Sequence, residues 1–164
     1  MGMRSGKVLK TAKKPAPRKA AKAARVKAKS APRPATRTVE VDRNRALRAL
    51  AQRIIDVTIA NDDAATLALY ADNIESKEAN NPASAGIEAI KQKFAMWRGM
   101  VSDASFTPRS VTVDGRTIVI EWEGRVTLAA SGRMADLLEV AVHEIANGKI
   151  VKERFYYDPS VLQG

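Results

Sequence analysis

Beyond about residue 40 the chain runs through two hydrophobic rhythms in succession. Leu47, Leu50, Ile54, Val57 and Thr58 recur at three- and four-residue steps, so Arg43 to about Ala60 predicts an amphipathic helix, with Asp42 placed to cap it. Asn61-Asp62 then breaks and recaps the chain into a second, shorter helix over Ala64 to Tyr70. Asn73 to Ala79 alternates weakly and predicts a short strand or edge segment. After Asn81-Pro82, Ser84 is placed to cap a third helix whose apolar stripe is Ile87, Ile90, Phe94, Trp97 and Val101.

From Phe106 the period changes to two. Val111 to Val113, Asp114-Gly115 and Arg116 to Leu128 predict a hairpin, because Asp-Gly supplies the positive φ angles of a tight turn. Met134 to Ile145 and Ile150 to Tyr157 predict a second pair around Asn147-Gly148. Three helices followed by long antiparallel strands imply an α+β domain with the helices packed on one face of a curved sheet.

Composition narrows the chemistry. With 164 residues the chain is expected to hold one folded domain. It has no cysteine and a single histidine, His143, which excludes disulfides, thiolate zinc sites, iron–sulfur clusters, a cysteine nucleophile and multi-histidine metal sites. No metal and no organic cofactor are expected. No apolar run approaches the roughly 20 residues of a membrane span, so a soluble protein without a span is expected.

The formal charge of +10 is distributed unevenly. Of 28 Lys and Arg, 13 fall between Met1 and Val39, where there is no acid; the remaining 15 face all 18 Asp and Glu, a net charge of −3. Residues 1–39 thus read as a basic tail and 40–164 as a mildly acidic folded domain. Pro15, Pro17, Pro32 and Pro34 interrupt the tail, which has almost no large apolar side chain and is expected to be disordered. Its Lys10 to Ala35 segment resembles, in composition, the Lys/Ala/Pro-rich tails of linker histones and bacterial histone-like proteins. Closely spaced cations such as Lys13, Lys14, Arg18, Lys19, Lys22, Arg25, Lys27 and Lys29 displace counterions from a phosphate backbone, so non-specific nucleic-acid or other polyanion contact is expected. A bacterial-type cytoplasmic protein associated with the nucleoid fits this reading. The alternatives are an organellar transit peptide, attraction to an anionic membrane surface, and a solvated extension without a specific role.

Two segments are more specific. NDDAATLALYADNIESKEANNP followed by GIEAIKQKFAMW, and the ending VAVHEIANGKIVKERFYYDP, resemble the SnoaL-like branch of the nuclear transport factor 2-like superfamily over about Asn44 to Pro159. The resemblance implies a cone-shaped, strongly bent antiparallel sheet closed by the three N-terminal helices, a cystatin-like α+β barrel roll around a mostly apolar pocket. It implies a small-molecule ligand and, because many such proteins pair through the open sheet face, a homodimer. Members include isomerases, cyclases, hydrolases, non-enzymatic ligand binders and protein-binding modules.

Residue by residue, the ketosteroid isomerase branch has its carboxylate base eight positions after the Tyr of the YAD motif, which is Glu78 here. Its two oxyanion donors correspond to Ile54 and Ala141, neither of which can donate, so isomerisation of that type is not expected. The same resemblance turns Glu139, Ala141, His143, Glu153, Phe155 and Tyr157, together with Ile118, Ile120 and Trp122, toward the cone interior. A one-residue slip at Asn147-Gly148 would present Lys152, Arg154 and Tyr156 instead. Glu78 and His143 are the candidate general acid/base residues, and a carboxylate beside the imidazole would raise its pKa and fix its tautomer. Three functional classes stay open: a binder of a small, mostly apolar ligand with a polyanion-binding tail, a cofactor-independent isomerase, cyclase or hydrolase, and a dimeric scaffold whose tail is the working part.

Overall fold

The computed structural model describes residues 34–163, with side chains described from Asp42 onward. The eight candidate polyanion-binding residues from Lys13 to Lys29 therefore lie outside the described residues. The first helix, α1 (Pro34–Ile59), starts earlier than expected and takes in residues assigned to the tail. Proline is compatible with the first turn of a helix, and no glycine or further proline follows until after Ile59. Asp42 consequently sits inside the helix and caps nothing. The face carrying Leu47, Leu50, Ala51, Ile54 and Ile55 is buried.

Asn61, with φ 51°, turns the chain out of α1, and Asp62 caps α2 (Asp63–Leu67) by accepting from the Ala65 amide at 2.9 Å. Strand β1 (Tyr70–Glu78) follows directly, so Tyr70 opens a strand and does not close a helix. Ser84 is also not a cap: Ser84–Ala85 form β2, paired antiparallel with Glu75 and Ser76. The turn into α3 (Ile87–Met100) is made by Gly86 at φ 83°, a conformation open to glycine, and no side chain caps this helix. Val101 starts β3 (Val101–Asp114), followed by β4 (Thr117–Leu128), β5 (Met134–Ala146) and β6 (Lys149–Tyr156).

The six strands form one curled sheet in the order β2-β1-β6-β5-β4-β3. It is mixed and not wholly antiparallel, because β1 runs parallel to β6, with Ser76 opposite Glu153. The β5–β6 turn, Asn147 and Gly148 at φ 51° and 74°, sets Ala141 opposite Phe155 and His143 opposite Glu153. Residues directly opposite each other share a face, so Glu153 and Phe155 join Ala141 and His143 on the inner face, while Lys152, Arg154 and Tyr156 take the other. Helices α1 and α3 pack on the inner face around Ile54, Ile74, Ile90, Ile118, Ile120 and Trp122. Val101, Val126, Leu128 and Leu137 form a second cluster.

Candidate functional site

Between the helices and the inner face lies a cavity of about 270 Å³. Ile54, Tyr70, Phe94, Trp122, Ala141 and Phe155 are among the residues of its apolar wall. Glu78, Lys93, Glu139, His143 and Tyr157 bring polar atoms to it. The fold thus gathers Glu78, His143, Ile54, Trp122, Glu139, Ala141, Phe155 and Tyr157 into one space. Ile118 and Ile120 are fully buried core residues that do not line the cavity, and Glu153, also without exposed surface, lies behind the wall.

Glu153 organises the polar side. Its Oε2 accepts from the Tyr70 hydroxyl at 2.8 Å, and its Oε1 accepts from Ser76 Oγ at 2.7 Å and from Lys93 Nζ at 3.0 Å. Lys93 also donates to Ser76 Oγ and to Glu78 Oε1, each at 2.8 Å, so one ammonium joins α3 to both β1 and β6. Its Nζ stands 4.5 Å from the centre of the Phe155 ring. Burial pulls the Lys93 pKa down, but Glu153 and Glu78 outweigh it and hold the ammonium charged. Burial pushes Glu153 upward, yet Lys93, His143 and the Ser76 hydrogen bond bring it below the ordinary carboxylate value. Tyr70 is driven well above its usual pKa by burial and the adjacent Glu153 charge.

His143 stands apart from this network. Its Nδ1 is 3.7 Å from Glu153 Oε2, too far for a hydrogen bond, and neither ring nitrogen has a partner among the described residues. The ring meets Phe155 edge-on, with centres 6.1 Å apart. Burial lowers its pKa, Glu153 opposes that and Lys93 adds to it, so the imidazole is neutral at pH 7. A carboxylate neighbour does lie near His143, but desolvation outweighs it and the sign of the expected shift is reversed. Glu139 behaves in the opposite sense to Glu153: burial, then repulsion from Glu78, raises its pKa to about 8 despite Lys93. At neutral pH it is mostly a carboxylic acid that can donate a proton. Tyr157 is likewise raised, by burial and by Glu78.

Lys93, Tyr70 and Ser76 were not anticipated. Lys93 follows Ile90 by three residues and precedes Trp97 by four, which places a cation inside the apolar stripe of α3; that misfit was the available signal. Ile74, Ser76 and Glu78 alternate along β1, so Ser76 shares a face with a buried isoleucine. Among the described residues, no three His, Asp or Glu side chains are grouped to hold a metal ion, and no helix is long and apolar enough to cross a membrane.

A curled mixed sheet closed by helices around such a cavity is a nuclear transport factor 2-like fold. The chain belongs to the SnoaL-like domain family, whose profile matches residues 51–153. It is similar to a candidate SnoaL-like polyketide cyclase from Mesorhizobium loti, with 31% identity, a TM-score of 0.58, and 68% of this chain and 98% of that one covered. A Burkholderia pseudomallei protein of unknown function with the same fold aligns with a TM-score of 0.67 and 17% identity, over 73% and 98% of the two chains. TerC, crystallised with polyporic acid, aligns with a TM-score of 0.65 and 15% identity, over 73% and 99%. Among curated proteins no sequence matches the chain.

Proposed function

We propose that the domain binds a small, mostly apolar, carbonyl-bearing molecule in the cone and moves protons on it, with His143 as general base and Glu139 as general acid. The observation that carries this reading is His143, an imidazole 3% exposed at the cavity whose two nitrogens have no partner among the described residues. Leaving such a group unsatisfied costs about 1–3 kcal/mol, a cost that a ligand hydrogen bond would remove. Glu139, protonated up to about pH 8, supplies a donor where Ile54 and Ala141 supply none, so a carbonyl oxygen can be polarised from β5. Glu78 accepts a hydrogen bond from Lys93 and is already partnered; in this reading it orients the site and is not the base. Chemistry of this kind is carried by side chains alone. The complex of TerC with polyporic acid supports a small-molecule occupant.

Two further parts complete the proposal. The basic segment 1–39 contacts nucleic acid non-specifically, on the strength of its 13 cations and no acids. The outer sheet face, where Leu138, Val140 and Tyr156 are exposed, pairs two copies into a homodimer.

The chemistry is tested without knowing the product, by following deuterium uptake at the α-carbon of small cyclic and aryl ketones in D2O by NMR. Exchange that depends on the protein and falls at least 100-fold in His143→Gln is expected, in line with the usual contribution of a general base. Exchange left intact by that substitution would remove His143 from the mechanism.

A further inference from the structure

A second groove, of about 690 Å³, lies between α1 and the β3–β4 and β5–β6 turns and shares no lining residue with the cavity. Arg43 and Arg53 reach it from α1 and Arg116 from the β3–β4 turn. Among the described residues its lining contains three cations and no acid. All three arginines are exposed, and none is paired with a carboxylate among the described residues. Arg116 is close enough to Glu144 to help lower the pKa of that carboxyl, which is itself held by Arg154. Ala46 and Ala49 keep the α1 wall low between the two arginines, and a side chain at Gly115 or Gly148 would meet only open space.

We infer that this groove binds the phosphate backbone of a nucleic acid through Arg43, Arg53 and Arg116. Its dimensions select a polymer. Ten residues of helix separate Arg43 from Arg53, about 15 Å along the axis, whereas a nucleic-acid strand presents a phosphate about every 3.4 Å of rise. A single phosphate would meet one arginine end of the groove; a strand laid along α1 meets both. Charge selects the same partner, since the 39 residues that open the chain carry 13 cations and no acid. Guanidinium groups suit the purpose because they are permanently charged and grip phosphate oxygens in pairs. With bases untouched, the contact is blind to sequence.

The inference extends the nucleic-acid reading of segment 1–39 but stands on different residues, and one experiment separates the two. Binding of the full chain to a duplex of about 30 base pairs is measured by fluorescence anisotropy across a salt series. In the Arg43→Ala, Arg53→Ala, Arg116→Ala triple variant, the slope of log affinity against log salt should become shallower by about 2 to 3, since each phosphate contact contributes about 0.9. The corresponding triple lysine variant should recover most of the slope, which also guards against a folding defect. A second variant replaces Lys13, Lys14, Arg18, Lys19, Lys22 and Arg25 with alanine. If only this one flattens the slope, the groove inference fails and the tail reading stands; if only the arginine variant does, the tail reading fails. No binding by the unaltered chain overturns both. Loss of binding to vesicles of anionic phospholipid in the arginine variant, with duplex binding unchanged, would assign the arginines to a membrane surface and overturn the inference, as would displacement of the duplex by inorganic phosphate at an ionic strength at which chloride leaves it bound.

Discussion

Lys93 Nζ lies 3.0 Å from Oε1 of Glu153, a carboxylate with no exposed surface, and it is the one cation in contact with that carboxylate among the described residues. The pair ties α3 to β6 across the cavity. Removing one partner of a buried ion pair leaves the other charge uncompensated, at a cost of about 3–5 kcal/mol, whereas removing both costs far less. Lys93→Met should therefore lower the urea midpoint strongly, and Lys93→Met with Glu153→Gln should regain part of the loss. A Lys93→Met variant within 1 kcal/mol of the unaltered chain would show that the pair carries no such weight.

Glu139 sets a pH dependence of stability. Its carboxyl ionises near 4.5 when unfolded and at about 8 when folded, so the folded state holds the proton more tightly between those values. The contribution is fully present below about pH 4.5 and declines toward pH 8, with a slope of up to about 1.4 kcal/mol per pH unit. Glu139→Gln, neutral in both states, should remove that slope and be the more stable protein at pH 8, as measured by urea unfolding at a series of pH values.

Ketone proton exchange should have a bell-shaped pH profile. The acid limb falls below the ordinary histidine value of 6.5, because burial lowers the pKa of His143 and protonation there destroys the base. The alkaline limb falls near 8, where Glu139 ionises. Glu139→Gln should abolish the alkaline limb while leaving the acid limb in place.

Gly124 is required by packing. It faces Phe106 across the β3–β4 pair, and a Cβ there would stand 2.7 Å from the Phe106 ring and 3.2 Å from the Leu137 carbonyl oxygen. The ring in turn meets Trp122 edge-on at 6.1 Å. Gly124→Ala should destabilise the domain by about 1–3 kcal/mol, the usual cost of overpacking. Adding Phe106→Leu should relieve part of the loss in thermal unfolding.

These predictions draw on features of unequal legibility. The β4, β5 and β6 alternation and the Asp114-Gly115 and Asn147-Gly148 turns could be read directly, because period and turn chemistry are local. Val101 continues the helical stripe by spacing but opens β3, since a β-branched residue four positions after Trp97 fits a helix as well as a strand. Ser84 resembled a cap because nothing local reveals that it pairs with β1. The parallel pairing of β1 with β6 joins residues more than seventy positions apart and leaves no local trace. In the site, Glu139 and His143 could be placed on one face of β5 by parity. Their opposite protonation behaviour could not, because it depends on burial and on Lys93 from another element.

The proposed chemistry requires His143 to be a neutral, unpartnered base at the cavity. Since it is the only histidine in the chain, nitrogen-15 labelling of histidine gives one pair of ring signals, and their shifts across pH report both tautomer and protonation. The ring is expected to be neutral at pH 7 and to take a proton only below pH 6.5. A ring that titrates at or above 6.5, as an imidazolium paired with Glu153 would, contradicts it.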